Sequence, residues 1–102
     1  MKLQLRVGDV EVTAEYYGLT GFGGEQSAHY LLEASYWDRV EFPSARRIRA
    51  LGRHHLKRNV TVADKGERVL VLYMAGGIRR KALLQFFVAV IDASKYLGKK
   101  SG

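Results

Sequence analysis

With 102 residues, 47% of them apolar and 26% charged, the chain can build one sizeable core, has no room for two, and is too apolar for wholesale disorder. The absence of cysteine excludes disulfide staples, thiolate metal sites and a cysteine nucleophile. No apolar run approaches the roughly 18 residues of a membrane-spanning helix, and the residues after Met1 alternate with polar ones rather than forming a secretory signal, so a cytoplasmic protein is expected.

Leu3, Leu5 and Val7 alternate with Gln4 and Arg6, the period of a half-buried strand. Gly8-Asp9 supplies a two-residue turn, after which Val10, Val12, Ala14 and Tyr16 resume the alternation and bring both apolar sets to one sheet face. The segment from Gly18 to Ser27 holds four glycines and reads as a loop. It lacks the spacing of a phosphate-binding loop, and Phe22 within it is expected to anchor the loop to the core. A third strand is expected from His29 to Trp37, with Tyr30, Leu32, Ala34 and Tyr36 on one face.

Pro43 suits the first turn of a helix and Ser44 its cap. The helix from about Ala45 to Arg58 is two-sided, with Ala45, Ile48, Leu51, Gly52, His55 and Leu56 in one arc and basic residues over most of the rest. Asn59 to Asp64 alternates again, residues 64–67 look like a hairpin turn, and Val69 to Ala75 is apolar on both faces, as in a central strand or one covered by a partner. Gly76-Gly77 breaks it. A last helix is expected from Ile78 or Arg79 to Leu97, stopped by Gly98, with a polar stripe of Lys81, Gln85, Asp92, Lys95 and Lys99 in which Val88 also stands. So apolar a helix is expected to bury a second side, against the basic helix or against another copy of the chain.

The expected order is therefore β-β-β-α-β-β-α: a single α+β domain over residues 1–98, with an antiparallel sheet of about five strands, two helices packed on it, and a frayed basic tail at 99–102.

Charge divides the chain. Residues 1–41 carry three basic side chains against seven acidic ones, whereas residues 42–102 carry fourteen against three. Arg46, Arg47, Arg49, Arg53, His54, Lys57 and Arg58 spread over roughly 180° of the first helix with no acid among them, a face that attracts phosphates. Arg79, Arg80 and Lys81 begin the last helix, where free N–H groups and the dipole already favour an anion, and form an auxiliary patch. An anionic membrane surface would attract the same cations, but the apolar arc of the first helix lacks bulky aromatics and is needed by the core.

Other chemistry finds less support. Tyr17 and Trp37 fall on the polar sheet face, where they could stack on bases, but Glu11, Glu15 and Glu33 share it and repel phosphates; Tyr16, Tyr30 and Tyr36 are expected in the core. His54 and His55 are adjacent on a helix and diverge by about 100°, so they do not chelate one ion, and no metal or cofactor is expected. Ser35 with His29 and Glu33 lacks specific spacing, as does Asp64-Lys65 or Glu11/Glu15 in the role of a metal-dependent nuclease, so no catalysis is expected. The expectation is a small non-enzymatic nucleic-acid-binding domain, DNA or RNA, holding phosphates on the nine cations named. It is expected to pair as a homodimer through Leu83, Phe86, Phe87 and Val90. The alternative is an assembly subunit whose basic helix meets an acidic protein partner.

Overall fold

A computed structural model of the chain describes residues 2–22, 25–34, 39–65, 69–75 and 78–98. Nine elements follow one another: β1 (Lys2–Val7), β2 (Val10–Phe22), β3 (Glu25–Ala34), β4 (Val40–Glu41), α1 (Ala45–His55), β5 (Val60–Lys65), β6 (Val69–Ala75), α2 (Arg80–Ala93) and β7 (Lys95–Tyr96). Five strands form one antiparallel sheet in the order β1-β2-β3-β6-β5, and both helices lie on one face of it. The α+β architecture and the order of its principal elements are those expected. Two two-residue strands, β4 and β7, pair separately and had no signature in the sequence.

The register explains the core. Val7 pairs with Val10 across Gly8, whose φ of +60° gives the hairpin the pattern of a type II′ turn. Leu5↔Val12, Ala14↔Leu32 and Leu32↔Leu70 then line the inner face, where Val10, Val12, Leu32, Leu70 and Leu72 are fully buried. β6 is interior, between β3 and β5. Its Leu70, Leu72 and Met74 are buried under the helices, while Val71 and Tyr73 on the outer face are half-buried.

α1 packs on β5 and on α2, while α2 covers β1. The second side of α2 is therefore covered by the basic helix, one of the two covers expected. Leu83, Phe86, Phe87, Val90 and Ile91 are the buried residues of α2, with Phe86 and Phe87 at zero exposure. Fully burying each such aromatic side chain contributes about 1.5–3 kcal/mol.

Several boundaries differ from expectation. Most of the expected glycine-rich loop is strand: β2 and β3 continue as a ladder through Thr20↔Ser27 to Phe22↔Glu25, with a bulge at Tyr17 between the Tyr16↔Tyr30 and Gly18↔His29 pairs, while Gly23 and Gly24 lie outside the described residues. Glycine weakens a strand without forbidding its hydrogen bonds, and here it sits beside the bulge. Pro43 stands one residue ahead of the Ser44 cap rather than inside the first turn. α1 stops at His55 because Lys57 turns left-handed, with φ +56°. α2 stops at Ala93, four residues early, because the Ser94 hydroxyl donates to Val90 O at 2.7 Å and the chain then pairs with β4. Tyr16 was expected in the core but is 37% exposed, since it lies beyond the end of β1 and only its inner neighbour Tyr30 is covered. The expected strand end at 35–37, the hairpin turn at 64–67 and the tail at 99–102 lie wholly or partly outside the described residues, as do Tyr36, Trp37 and the side chains of Tyr17 and Phe22.

Candidate nucleic-acid interface

α1 is built to hold cations outward. The Ser44 hydroxyl accepts from the Arg47 N–H at 3.2 Å, which satisfies one of the free donors of the first turn. Ile48 and Gly52 are the buried residues, and Gly52 lies against the Val60 side chain so closely that a Cβ there would collide with it. A glycine at this point lets the helix axis approach β5, and the opposite side is left to Arg46, Arg47, Arg49, Arg53 and His54, all exposed. His55 is half-buried, its ring edge-to-face with His54 at 4.7 Å between centroids.

The helix end sends the remaining cations the same way. Leu56 N–H closes the last turn on Gly52 O at 2.8 Å, and Lys57 in the left-handed region redirects the chain into β5. Lys57 and Arg58 are thus exposed on the connection beyond α1 rather than on the helix itself. Arg53 in the last turn complements the helix dipole, whereas Arg46 and Arg47 near the start oppose it, with no acid in that turn to offset them.

Arg79, Arg80 and Lys81 are exposed too, with Arg79 as the cap residue of α2 making no side-chain capping bond. Val60 pairs with Met74, so the exit from α1 and the entry into α2 join the same end of the β5–β6 pair. The cations of α1 and of the start of α2 thus belong to two helices that pack on one another. Asp92 is the one carboxylate on either helix, and it stands toward the far end of α2. Among the described residues, the ion pair of the structure joins Arg39 to Asp9 and engages none of the nine.

The outer sheet face is electrostatically different. Lys2 pairs with Glu15 and Arg6 with Glu11 in register, so opposite charges sit side by side there. The surplus of positive charge belongs to the helices. No group of three metal-ligating side chains converges among the described residues, and no helix among them is long and apolar enough to cross a membrane.

Leu83, Phe86, Phe87 and Val90, expected to meet a second chain, are instead taken up by the core of their own chain. The amphipathic pattern shows that these positions are covered and not by what. The large apolar side chains of α2 that remain exposed are Leu84 and Val88.

Sequence reasoning also missed a polar cluster. The Tyr96 hydroxyl donates to Asp9 Oδ1 at 2.8 Å and accepts from Arg39 Nη2 at 3.1 Å, while Arg39 also pairs with Asp9. The Tyr96 hydrogen bond first, and Arg39 second, hold the Asp9 carboxyl below its usual range. These residues come from the first turn, the approach to β4 and the chain end, and no local spacing connects them. Compared with models of protein families, with curated proteins and with solved structures, the chain matches none.

Proposed function

We propose that this protein binds nucleic acid without catalysis, by laying the solvent face of α1 along a phosphate backbone. The carrying observation is the row Arg46, Arg49 and Arg53, exposed on one side of α1 with no carboxylate on that helix. Arg47, Lys57 and Arg58 widen the row, and Arg79, Arg80 and Lys81 add an auxiliary patch beyond the helix end. Two cations in the first turn of α1 cost the helix roughly 0.3–1 kcal/mol each at low salt, a cost that a bound anion offsets.

Contacts of this kind neutralise phosphates and read no sequence. Asn59 and Gln85 are the amides nearest the cationic residues in sequence, and Gln85 stands on the exposed stripe of α2 rather than among the arginines. Binding is therefore governed by charge density and salt.

Fluorescence anisotropy with mixed-sequence DNA and RNA, single- and double-stranded, tests this between about 50 and 200 mM salt. Engaging about five phosphates gives a log–log slope near −4.5, a loss of roughly 500-fold over that range. The triple reversal R46E/R49E/R53E, on exposed positions, keeps the circular dichroism spectrum and flattens the slope by about 2.7. Absence of binding at the low-salt end overturns the reading and directs the search to acidic protein surfaces.

A further inference from the structure

Leu84 and Val88 are 41% and 39% exposed on α2, one turn apart on its solvent side. At about 100° per residue they share an arc of roughly 100° with Lys81, Gln85 and Asp92, all exposed. The stripe has an order: a cation at its start, two apolar side chains at its centre, an anion at its end. Lys81 lies three residues before Leu84 and Asp92 four after Val88, so the charges sit almost symmetrically about the apolar pair.

We infer that this stripe is a homotypic docking surface, on which α2 of a second copy seats antiparallel, with Leu84 and Val88 at the centre and each Lys81 against the partner's Asp92. A two-fold axis through the centre of the stripe makes it complementary to itself, as an isologous interface requires. A parallel arrangement would set Lys81 against Lys81 and Asp92 against Asp92. The antiparallel one also brings the cationic start of each helix to the negative dipole end of the other, which offsets the unfavourable placement of Arg80 and Lys81. An anionic surface is a poorer occupant, because Asp92 would face it. The surface shares Lys81 with the auxiliary patch but leaves out the arginine row of α1, which lies on another helix and carries the nucleic-acid reading.

One 14-residue helix against its copy is about 21 Å long and belongs at the small end of interface sizes. Association is correspondingly weak, with a dimer growing in over about 10–500 µM.

Sedimentation equilibrium of the whole chain, without nucleic acid at about 50 mM salt, tests the inference. The apparent mass rises from 11.5 kDa toward twice that value with concentration. L84E/V88E stays at the monomer mass with an unchanged melting curve. K81E or D92K alone weakens association roughly 5–10-fold, and the exchanged chain K81E/D92K recovers it. Recovery requires that position 81 of one copy meet position 92 of the other. If L84E/V88E fails to fold, the exchange pair carries the test by itself. A monomer mass throughout, wild-type association of folded L84E/V88E, or no recovery in K81E/D92K overturns the inference.

Discussion

The Tyr96 hydroxyl donates to Asp9 Oδ1 at 2.8 Å, joining the turn of the first hairpin to the last strand, 87 residues later. Gly8 makes the approach possible: a Cβ there would lie 2.6 Å from Tyr96 Cδ2, so the ring lies directly on the turn backbone. Arg39 completes the cluster by donating to both partners, and its carbonyl accepts from Leu97 N–H at 2.8 Å. The clasp therefore fixes where the chain goes after α2 and holds β7 on β4.

Asp9 titrates low because the fold stabilises its charged form, through Tyr96 and then Arg39. Its contribution to stability is present above the unfolded carboxyl value near 4 and is lost as pH falls through the depressed folded value. Thermal melts from neutral pH to about pH 2.5 should therefore show a shallower acid-side decline in D9N than in the wild type. Y96F should lower the neutral-pH midpoint and remove amide protection at residues 95–97, leaving α1 protected. Identical acid profiles for D9N and wild type would sink this account.

Alkali acts at a different place. Tyr30 is buried, its ring 5.2 Å from Phe87 edge-on and 5.5 Å from Tyr16, and loss of solvent followed by the neighbouring Tyr16 raises its hydroxyl above the usual value. The fold favours the neutral form, so this contribution is complete below about pH 10 and is lost as pH rises through the raised value. In a spectrophotometric titration Tyr30 should ionise late, coincident with alkaline unfolding, and Y30F should remove that step. A Tyr30 signal titrating with the exposed tyrosines would contradict it.

Gly52 offers a test in which propensity and packing have opposite signs. Replacing glycine by alanine inside an exposed helix gains about 1 kcal/mol. Here the new methyl group would collide with Val60, which is 2% exposed and fixed in β5, so G52A should instead destabilise by about 1–3 kcal/mol. V60A opens space for that methyl, and G52A/V60A should be more stable than the sum of the single changes predicts. Denaturant unfolding of the four chains measures the coupling, and strict additivity would refute the close approach of α1 to β5.

What the sequence disclosed and what it concealed follow one physical division. The first hairpin was legible because Gly8 and the Val7/Val10 alternation agree locally, and α1 because Ile48 and Gly52 share an arc that its arginines avoid. The nine candidate cations are all exposed, since long charged side chains seldom find burial. The ends of elements were less legible. Ser94 ends α2 through its own hydroxyl, and Lys57 ends α1 in a conformation that lysine rarely adopts. Asp9, Arg39 and Tyr96 meet only once the sheet has formed. The expected interface through Leu83, Phe86, Phe87 and Val90 is core for a related reason: their surplus of apolar surface is covered by the chain's own elements, which only the tertiary packing discloses.

Lys57 allows stability and binding to be separated. Its φ of +56° costs a residue with a Cβ about 1–2 kcal/mol, a cost glycine escapes at the same place after a helix. Glycine adds freedom to the unfolded chain, which returns about 0.5–1 kcal/mol of that gain. K57G should therefore stabilise the protein by up to about 1 kcal/mol in denaturant unfolding. The same change removes one cation from the proposed phosphate row, so the salt slope should fall by about 0.9 and low-salt affinity should drop. A variant that is more stable yet binds more weakly cannot owe its weaker binding to damage of the fold. Unchanged affinity in K57G would remove Lys57 from the row, and a lower stability would show that its side chain holds the turn in a way the backbone strain does not reveal.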